Sequence, residues 1–391
     1  MKLVVVGIGQ CGGRIADEFV RLNKRAHRQR GIEIIVDAFA VNTDAADLAG
    51  LTTIKADHQR RILIGGGRTH GHGVAKISEL GAEIAKEDSD KVIEAMRTNE
   101  RLFEADAFLV VGSTAGGTGS GVTPVMVKVL KERYMDRPVY ALVVLPFEHE
   151  EDVEDRALYN TALCLKAVSS VADAVILVDN QRYIRKDTSL KSNMTRINEM
   201  IVEPFYNLLC AGEEQKAKYI GTRMLDTGDI KYTLSGWTAI GFGITRLPQG
   251  NLPWEKPASY MRKSQETQKG IQVMDEAISE MSIACKPYDA GRALFLLAAP
   301  AKEMSVDLVK ELCDFLKNIA PQAIIRNGDY PREKGHLGVT VVLSQLGDVA
   351  KVREYYKKST GLVKEFSQRK KVLSERQQAD EEAARDVPTL L

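Results

Sequence analysis

Short apolar runs alternate with longer stretches of helical periodicity through the first 180 residues, and this alternation restricts the fold more than any other feature. It is typical of a parallel sheet covered by helices on both faces. The runs are largely apolar, as expected of strands buried on both sides. They span residues 3–6, 38–41, 62–64, 107–111, 139–145 and 174–178. We therefore predict an α/β fold with a Rossmann-like parallel sheet.

The second half of the chain is organised differently. Residues 180–203 are mostly polar and contain no Gly or Pro, which predicts a long connecting helix that ends before Pro204. Apolar runs at 238–244, 293–298 and 337–343, with a helical pattern at 306–319, predict a smaller α+β domain. Charges of both signs dominate residues 365–385, as in a solvent-exposed helix.

Composition narrows the class of protein. A chain of 391 residues with 44% hydrophobic composition can bury a sizeable core in two or three domains. Lys plus Arg (54) nearly equals Asp plus Glu (53), so the charge indicates neither nucleic acid nor an anionic membrane as a partner. No apolar run could span a bilayer, and the five cysteines have neither disulfide nor zinc spacing. We expect a cytoplasmic protein.

The first predicted strand runs into a glycine-rich turn, Gly7-Ile-Gly-Gln-Cys-Gly-Gly13. Missing Cβ atoms let a backbone approach a phosphate, while the following helix presents free N–H groups. Gly7, Gly9 and Gly12 match G-x-G-x-x-G, so one interpretation is an NAD-type oxidoreductase with Asp37 as the ribose acceptor. A tight turn without a ligand is the other interpretation.

A second glycine-rich turn follows the run at 107–111 and precedes a helix that we predict at 122–134. Residues 112–121 contain five glycines and four hydroxyl residues, a concave run of N–H donors suited to a di- or triphosphate. The segment lacks the Lys of a Walker loop, so backbone dipoles and a metal ion must neutralise the negative charge of the phosphates. A dinucleotide fold has no use for this turn, which therefore favours a polyphosphate ligand.

Ala115-Gly-Gly-Thr-Gly-Ser-Gly121 resembles the signature loop of the tubulin and FtsZ superfamily. Gly9-Gln-Cys-Gly-Gly13 and Val41-Asn-Thr-Asp-Ala45 resemble its first two phosphate loops. Segments 145–150 and 198–206 look most like the archaeal tubulin-like CetZ branch. The resemblance implies a GTP-binding and GTP-hydrolysing cytoskeletal protein that uses Mg²⁺ and polymerises with itself, head to tail, into filaments.

The resemblance also divides the chain. It implies a nucleotide-binding GTPase domain at 1–180, a connecting helix at 181–210, a C-terminal α+β domain at 211–345 and a charged helical tail at 346–391. Residues 247–260 are a candidate for lateral filament contacts, with an ordinary surface loop as the alternative. Residues 386–391 resemble the short FtsZ tail that recruits partners.

By this resemblance, the loops and the base pocket bind the nucleotide. Glu150 and Arg156 align with ribose contacts, and Asn180 and Asn198 with side chains that read guanine, for which an amide offers both donor and acceptor. Tyr183 would stack on the base or pack in the core. The remaining predicted contacts are Gly9, Gln10, Cys11, Gly12, Asn42, Gly71, His72, Gly73, Gly112, Ala115, Gly116, Gly117, Thr118, Gly119 and Ser120.

Two further segments would lie at the γ-phosphate. Asp44 would hold Mg²⁺ through water, although a helix N-cap explains this residue equally well. The third loop, residues 65–73, would cover the γ-phosphate, but it continues as Val74-Ala-Lys76 where FtsZ has Ala-Gly-x-Asn-Pro. His70 and His72 are a candidate metal pair, which glycine neighbours would hold poorly.

Asp226 and Asp229 lie in a segment that resembles the family's synergy loop, whose acids approach the nucleotide of the adjacent subunit. Their spacing puts both carboxylates on one face of a starting helix, where they can orient and polarise a water. Two acids that stabilise a helix dipole are the alternative. FtsZ carries Asn where this chain has Met224, which leaves open a nucleotide-regulated scaffold with little turnover.

Overall fold

A computed structural model of the protein describes residues 1–184, 190–247, 259–333 and 335–384. The strands in these residues are β1 Leu3–Ile8, β2 Ile35–Asn42, β3 Arg61–Leu63, β4 Ala107–Ser113, β5 Val139–Leu145, β6 Ala174–Asp179, β7 Gly236–Arg246, β8 Arg292–Ala299, β9 Ile324–Pro331 and β10 His336–Ser344. They form one sheet in the order β3-β2-β1-β4-β5-β6-β7-β10-β8-β9. Strands β1 to β6 pair in parallel, which confirms the predicted α/β class.

Helices cover both faces of this sheet. They are α1 Gly9–Arg30, α2 Ala45–Ala49, α3 Gly66–Thr69, α4 Ser78–Arg97, α5 Gly117–Arg133, α6 Glu148–Val153, α7 Asp155–Val171, α8 Leu190–Ala211, α9 Thr227–Thr233, α10 Ser259–Ser279, α11 Val306–Ile319 and α12 Ala350–Ala384. Alternate residues of β1 show the division of the core. Val4 and Val6 pack with α4 and α5 on one face, whereas Leu3 and Val5 pack with α1 and α8 on the other.

The C-terminal half contains the predicted strands and one more. Strand β10 is antiparallel to β7 and β8, and β9 pairs in parallel with β8 at the edge of the sheet. The sequence does not predict β9, because its middle is Arg326-Asn-Gly-Asp329 rather than an apolar run. An edge strand needs no apolar run, since one side and part of its face meet water.

Helix α8 shows that the predicted end of the connecting helix before Pro204 is wrong. The helix continues through Pro204 to Ala211. Proline removes one backbone hydrogen bond and costs a helix roughly 3 kcal/mol. Buried side chains on both sides of Pro204, each contributing roughly 1.5–3 kcal/mol, outweigh that cost. They are Ile201, Val202, Phe205, Tyr206, Leu208 and Leu209.

Helix α5 begins at Gly117, five residues before the predicted start at 122. Half of the second glycine turn is therefore helical, although each glycine disfavours a helix by about 1 kcal/mol. Close packing on α4 explains this. A Cβ atom at Gly117 would lie 2.8 Å from the backbone nitrogen of Ile77, and one at Gly121 would lie 2.1 Å from the carbonyl oxygen of Ser78.

Candidate functional site

The carboxyl ends of five parallel strands are level with one another. Ile8 at the end of β1 pairs with Val41 of β2 and with Gly112 of β4. Strand β4 continues this alignment into β5, and Leu145 at the end of β5 pairs with Asp179 at the end of β6. The loops that follow these strands therefore share one edge of the sheet, which we call the carboxyl edge. Ligands of open α/β sheets bind at such an edge.

Two helix N-termini meet at the carboxyl edge without caps. Neither α1 nor α5 has a side-chain cap or an acid in its first turn. They are in contact, because a Cβ atom at Gly9 would lie only 3.2 Å from the backbone nitrogen of Gly119. Space remains beside them, since a Cβ atom at Gly116 would meet nothing within 4 Å. Free N–H groups and two helix dipoles make this cradle suited to an anion such as a phosphate chain.

The second loop is bonded to the cradle and to the third loop. The Thr43 and Thr118 hydroxyl oxygens lie 2.7 Å apart. The Ala45 N–H donates to the Gly71 carbonyl at 2.9 Å, and the Gly73 N–H donates to the Thr43 carbonyl at 3.0 Å. The predicted contacts of the first, second, third and fourth loops are thus brought together. The sequence did not single out Thr43, since a lone Thr after a strand carries no signal of its own.

Asp44 has a definite structural role. Its Oδ1 atom caps α2 by accepting from the N–H groups of Ala46 at 2.9 Å and Asp47 at 3.1 Å. No hydrogen bond to its Oδ2 atom occurs within the described residues. Mg²⁺ usually takes one or two carboxylates, waters and phosphate oxygens, so this second oxygen suits it. In the described ranges there is no group of three or more His, Cys, Asp or Glu placed to hold a metal, including around His70 and His72.

Gln10 and Cys11 begin α1 at the same edge. The Gln10 side-chain amide donates to the Asp47 carboxylate at 2.6 Å. Burial, with a further contribution from the nearby Glu150 charge, raises the pKa of the Cys11 thiol to about 12. Cys11 is therefore a neutral thiol at physiological pH.

Predicted nucleoside contacts follow β5 and β6. Asn180 begins a one-turn 3₁₀ helix, Asn180–Tyr183, that the Asp179 carboxylate caps. Tyr183 is 7% exposed and packs in the core cluster with α1 and α8. Asn198 is half-buried on α8. The contacts of these side chains with a base stay predictions.

Arg156 and Glu150 make protein contacts of their own. The Arg156 guanidinium donates to the Lys76 carbonyl at 3.4 Å and to the Glu79 carboxylate, so it braces the segment after the third loop. Glu150 accepts from the Phe147 N–H at 3.0 Å and thereby caps α6. The ribose assignments of both residues stay predictions.

Asn160 is a site residue that the sequence did not suggest. It lies in the middle of α7 and is wholly buried. Its amide donates to the Lys76 carbonyl at 2.8 Å and to the Ala115 carbonyl at 2.9 Å. It therefore joins the segment after the third loop to the fourth loop. Only the folded arrangement brings these segments to α7, so spacing along the chain could not reveal it.

Asp37 contradicts the dinucleotide interpretation. Its carboxylate accepts from the Arg60 guanidinium at 2.9 Å and from the Asn99 amide at 2.6 Å. It pairs with Val4 near the start of β1, five positions before β2 ends at Asn42. A ribose acceptor must lie at the carboxyl edge. The assignment of Asp37 to a ribose is therefore wrong.

Asp226 and Asp229 lie at the opposite, amino edge of the sheet. Helix α9 leads into β7, whose first residue pairs with Ala174 at the start of β6. Lys231 of α9 lies 3.9 Å from Asp106, which precedes β4. Strand β1 has six residues, which at roughly 3.3 Å per residue separate the two edges by about 20 Å. The structure does not bring these acids to the cradle of the same chain.

The acids themselves are close together. The Asp226 carboxylate caps α9 by accepting from the Asp229 N–H at 2.7 Å, and Asp229 lies in the first turn, so both acids stand at the helix N-terminus as the dipole alternative requires. The Asp229 carboxylate is 3.5 Å from Arg326 Nε. Asp226 is exposed and Asp229 is partly exposed, so both carboxylates are open to solvent or to another molecule.

Comparison with known families decides what this arrangement is. Residues 2–186 match "Tubulin/FtsZ family, GTPase domain" and residues 187–361 match "Tubulin-like CetZ, C-terminal domain". The chain is 32% identical over 373 residues to the tubulin-like protein CetZ1 of Haloferax volcanii, with 90% of each chain covered. The chain belongs to the CetZ branch of the tubulin/FtsZ family. The resemblance that the glycine loops indicated is confirmed.

Solved CetZ structures have the same fold. The GDP-bound monomer of CetZ1 from Haloferax volcanii superposes with a TM-score of 0.79 at 30% identity, covering 93% of this chain and 99% of that chain. CetZ2 from the same organism, in a GTPγS-bound protofilament, gives a TM-score of 0.78 at 29% identity, covering 94% and 100%. Both domains of this CetZ chain therefore have counterparts of nearly equal length.

Some predictions for this CetZ chain stay untested. Most of the candidate lateral loop at 247–260, and all of the tail at 386–391, lie outside the described residues. The domain boundaries and the cytoplasmic location stay predictions. Within the described ranges, none of the helices combines the length and the apolar character that crossing a membrane requires.

Proposed function

We propose that this CetZ protein binds GTP at the carboxyl edge and hydrolyses it after head-to-tail assembly. One observation supports the proposal most: the anion cradle and the candidate acids occupy opposite edges of one sheet. A nucleotide that contacts α1 and α5 is out of reach of Asp226 and Asp229 in the same chain. Stacking chains in a single orientation brings the acids of one chain to the nucleotide of the next.

The phosphates would lie in the cradle of α1 and α5. The CetZ1 relative is described with GDP and the CetZ2 relative with GTPγS in a protofilament, and we extend both properties to this chain. Asp44 would hold Mg²⁺ through water with its free Oδ2 atom. The ion would neutralise charge on the terminal phosphates, which the loops cannot do because they carry no Walker Lys. The N–H groups of Gly117, Thr118 and Gly119 would supply the remaining positive potential, whereas the Ser120 N–H already donates to the Gly116 carbonyl.

Side chains after β5 and β6 would select the nucleoside. We assign guanine recognition to Asn180 and Asn198, with Tyr183 beside the base, and ribose contacts to Glu150 and Arg156. An Asn amide can accept from guanine N1–H and N2–H and can donate to O6. Adenine has an acceptor at N1, a donor at N6 and no amino group at position 2, which is the basis for expecting GTP rather than ATP.

Hydrolysis would require the adjoining chain. Water attacks the γ-phosphorus, the bond to the bridging β–γ oxygen breaks, and GDP leaves with the electron pair. Asp229 of the adjoining chain orients this water, with Asp226 beside it, and a carboxylate accepts the proton that the water loses. Phosphoryl transfer depends mainly on positioning and charge, so a site divided between two chains makes turnover depend on assembly.

A mixing experiment tests the division of the site. Asp229→Ala removes an acid and keeps the cradle. Gly116→Val fills the cradle and keeps the acids, and the extended backbone and open space at Gly116 accommodate the new side chain. Each variant alone should be inactive, whereas an equal mixture should recover about a quarter of wild-type turnover, because one random neighbour pair in four is complete. A mixture no more active than its separate components would contradict the proposal.

Met224 favours a second candidate, a nucleotide-regulated scaffold with little turnover. Its side chain is 46% exposed beside the acids, at the position where FtsZ has Asn. Pelleting with GTP beside a phosphate-release assay separates the two functions. Filaments that form with GTP and release no phosphate would establish the scaffold, whereas release that rises with the pelleted fraction would establish the GTPase.

A further inference from the structure

Helix α12 runs along the nucleoside side of the carboxyl edge. Lys351, Tyr355 and Phe366 of α12 make contacts there, and we call these three residues the strap face. Their spacing of 4 and 11 positions puts them on one side of a helix. The residues that they contact are Asp179, which precedes Asn180; Glu151, which follows Glu150; and Arg156. Glu150 and Asn180 therefore each have an adjacent residue held by α12, and Arg156 is itself held.

The contact at the base end is an ion pair. Lys351 Nζ lies 2.8 Å from Asp179 Oδ1, and the two side chains are 20% and 10% exposed. The same Asp179 oxygen accepts from the Gln181 N–H at 3.1 Å and so caps the 3₁₀ turn that begins at Asn180. A single 3₁₀ turn has little stability of its own. Lys351 therefore holds the Asp179 carboxylate in place, and that carboxylate caps the 3₁₀ turn that begins at Asn180.

The contacts at the ribose end are a hydrogen bond and a cation–π contact. The Tyr355 hydroxyl, in a side chain only 1% exposed, donates to the Glu151 carboxylate on α6. Burial raises the pKa of Glu151, although the hydrogen bond from Tyr355 opposes this effect. The Arg156 guanidinium lies 5.1 Å from the Tyr159 ring and 5.5 Å from the Phe366 ring. The strap face thus holds α6 and the start of α7 as well.

We propose that α12 is a wall of the nucleotide site and that Lys351 is a positioning residue for base recognition. The inference rests on the proposed function, since it concerns the same GTP site. A prearranged base-reading turn binds without the cost of ordering it first. Loss of the Lys351–Asp179 pair therefore weakens nucleotide binding and reduces discrimination between bases, even though Lys351 itself contacts no nucleotide.

The test measures binding of GTP and of ITP, which lacks the 2-amino group of guanine, to dilute unassembled protein by calorimetry. Lys351→Met should weaken GTP binding roughly 3- to 30-fold and bring the GTP and ITP affinities closer together. Lys351→Arg should restore both, because Arg keeps the ion pair. Lys357→Met is the matched control on the exposed side of α12 and should bind as wild type. Tyr355→Phe should weaken both nucleotides equally, since it acts at the ribose end.

The outcomes separate the inference from the function on which it rests. Wild-type protein that binds no GTP overturns the proposed function itself. Wild-type binding together with a folded Lys351→Met variant that binds GTP within about twofold of wild type overturns the inference alone. An equal loss of GTP and ITP affinity in Lys351→Met, checked by unfolding of the free protein, reduces Lys351 to a structural role. If Lys351→Met does not fold, the test is Tyr355→Phe. Nucleotide affinities equal to those of wild type in Tyr355→Phe would overturn the inference that α12 is a wall of the nucleotide site.

Discussion

The side-chain oxygens of Thr43 and Thr118 lie 2.7 Å apart, and this contact joins the second loop to the first turn of α5. Thr43 is wholly buried, and its carbonyl also accepts from the Gly73 N–H. One small side chain therefore sets the distance between Asp44 and the anion cradle. These are the two parts that we propose share the phosphate chain and its metal ion.

Replacing Thr43 tests this joint, by which we mean the contact between the Thr43 and Thr118 hydroxyl groups. Thr43→Val keeps the shape and removes the hydroxyl, so the Thr118 hydroxyl loses its partner. We expect the free energy of unfolding to fall by about 1 kcal/mol and GTP affinity to fall about fivefold. Urea unfolding and GTP titration measure the two effects. Thr53→Val is the control, because among the described residues its hydroxyl has a single, 3.4 Å contact, with the Thr52 hydroxyl. Wild-type GTP affinity in Thr43→Val would contradict the role of the joint.

Substitution by alanine should destabilise the protein at Gly117 and leave its stability unchanged at the adjacent Gly116. A Cβ atom at Gly117 would lie 2.7 Å from Val74 and 2.8 Å from the backbone nitrogen of Ile77, whereas one at Gly116 meets nothing within 4 Å. We expect Gly117→Ala to lower the free energy of unfolding by about 1–3 kcal/mol, the usual cost of overpacking, and Gly116→Ala to leave it within about 0.5 kcal/mol. Thermal unfolding of the two variants makes the comparison. Equal stabilities would show that α5 and the segment leading into α4 can move apart at no cost in free energy.

Removing Asp229 should stop turnover and spare binding. Asp229→Ala should bind GTP and assemble, while phosphate release per filament falls by about 10²- to 10⁴-fold. The partner Arg326 is 44% exposed, so losing this pair should change the free energy of unfolding by less than about 1 kcal/mol. Phosphate release and pelleting are measured on the same samples. Glu94→Gln, an exposed acid on α4, is the control. Normal release by Asp229→Ala would remove its proposed role.

Stability should fall in alkaline solution because of buried thiols. Burial alone raises the pKa of Cys164 to about 12. An unfolded Cys titrates near pH 8.5, so above that pH the unfolded chain has lost a proton that the folded chain keeps. Rising pH then favours unfolding by about 1.4 kcal/mol per pH unit for this thiol, up to its folded pKa. Urea unfolding from pH 8 to pH 10.5 should show a shallower decline for Cys164→Ala than for wild type. Parallel declines would contradict the assignment.

The sheet was predictable because its central strands are buried on both sides. Such strands must be apolar throughout, and β5 and helix α11 begin and end at the predicted residues. Strand β9 was not predictable in this way, since its polar residues suit an edge. The helical stretches through Pro204 and Gly117 depend on packing against α1, the sheet and α4. Local propensity argues against both, and only tertiary contacts reverse it.

The site was predictable where the backbone makes the contacts. Glycine density marked the loops of β1 and β4, because close approach of main chains excludes side chains. Thr43 and Asn160 gave no such signal, since each acts through a partner that is distant in sequence. Family resemblance alone suggested that Asp226 and Asp229 act on the nucleotide of another molecule. Their position at the amino edge gives a geometric reason for action on another chain. The spacing of residues along the sequence could not provide that reason.

The placement of cradle and acids at opposite edges has a consequence for any stack built as we propose. A stack of n chains contains n − 1 complete catalytic centres. At one end the nucleotide of the terminal chain faces solvent, and at the other end the acids of the terminal chain have no nucleotide next to them. The exposed nucleotide outlives every internal one, however old the stack becomes. Each stack would therefore have two different ends. The chain at one end would keep its triphosphate while the chains of the interior convert theirs to diphosphate.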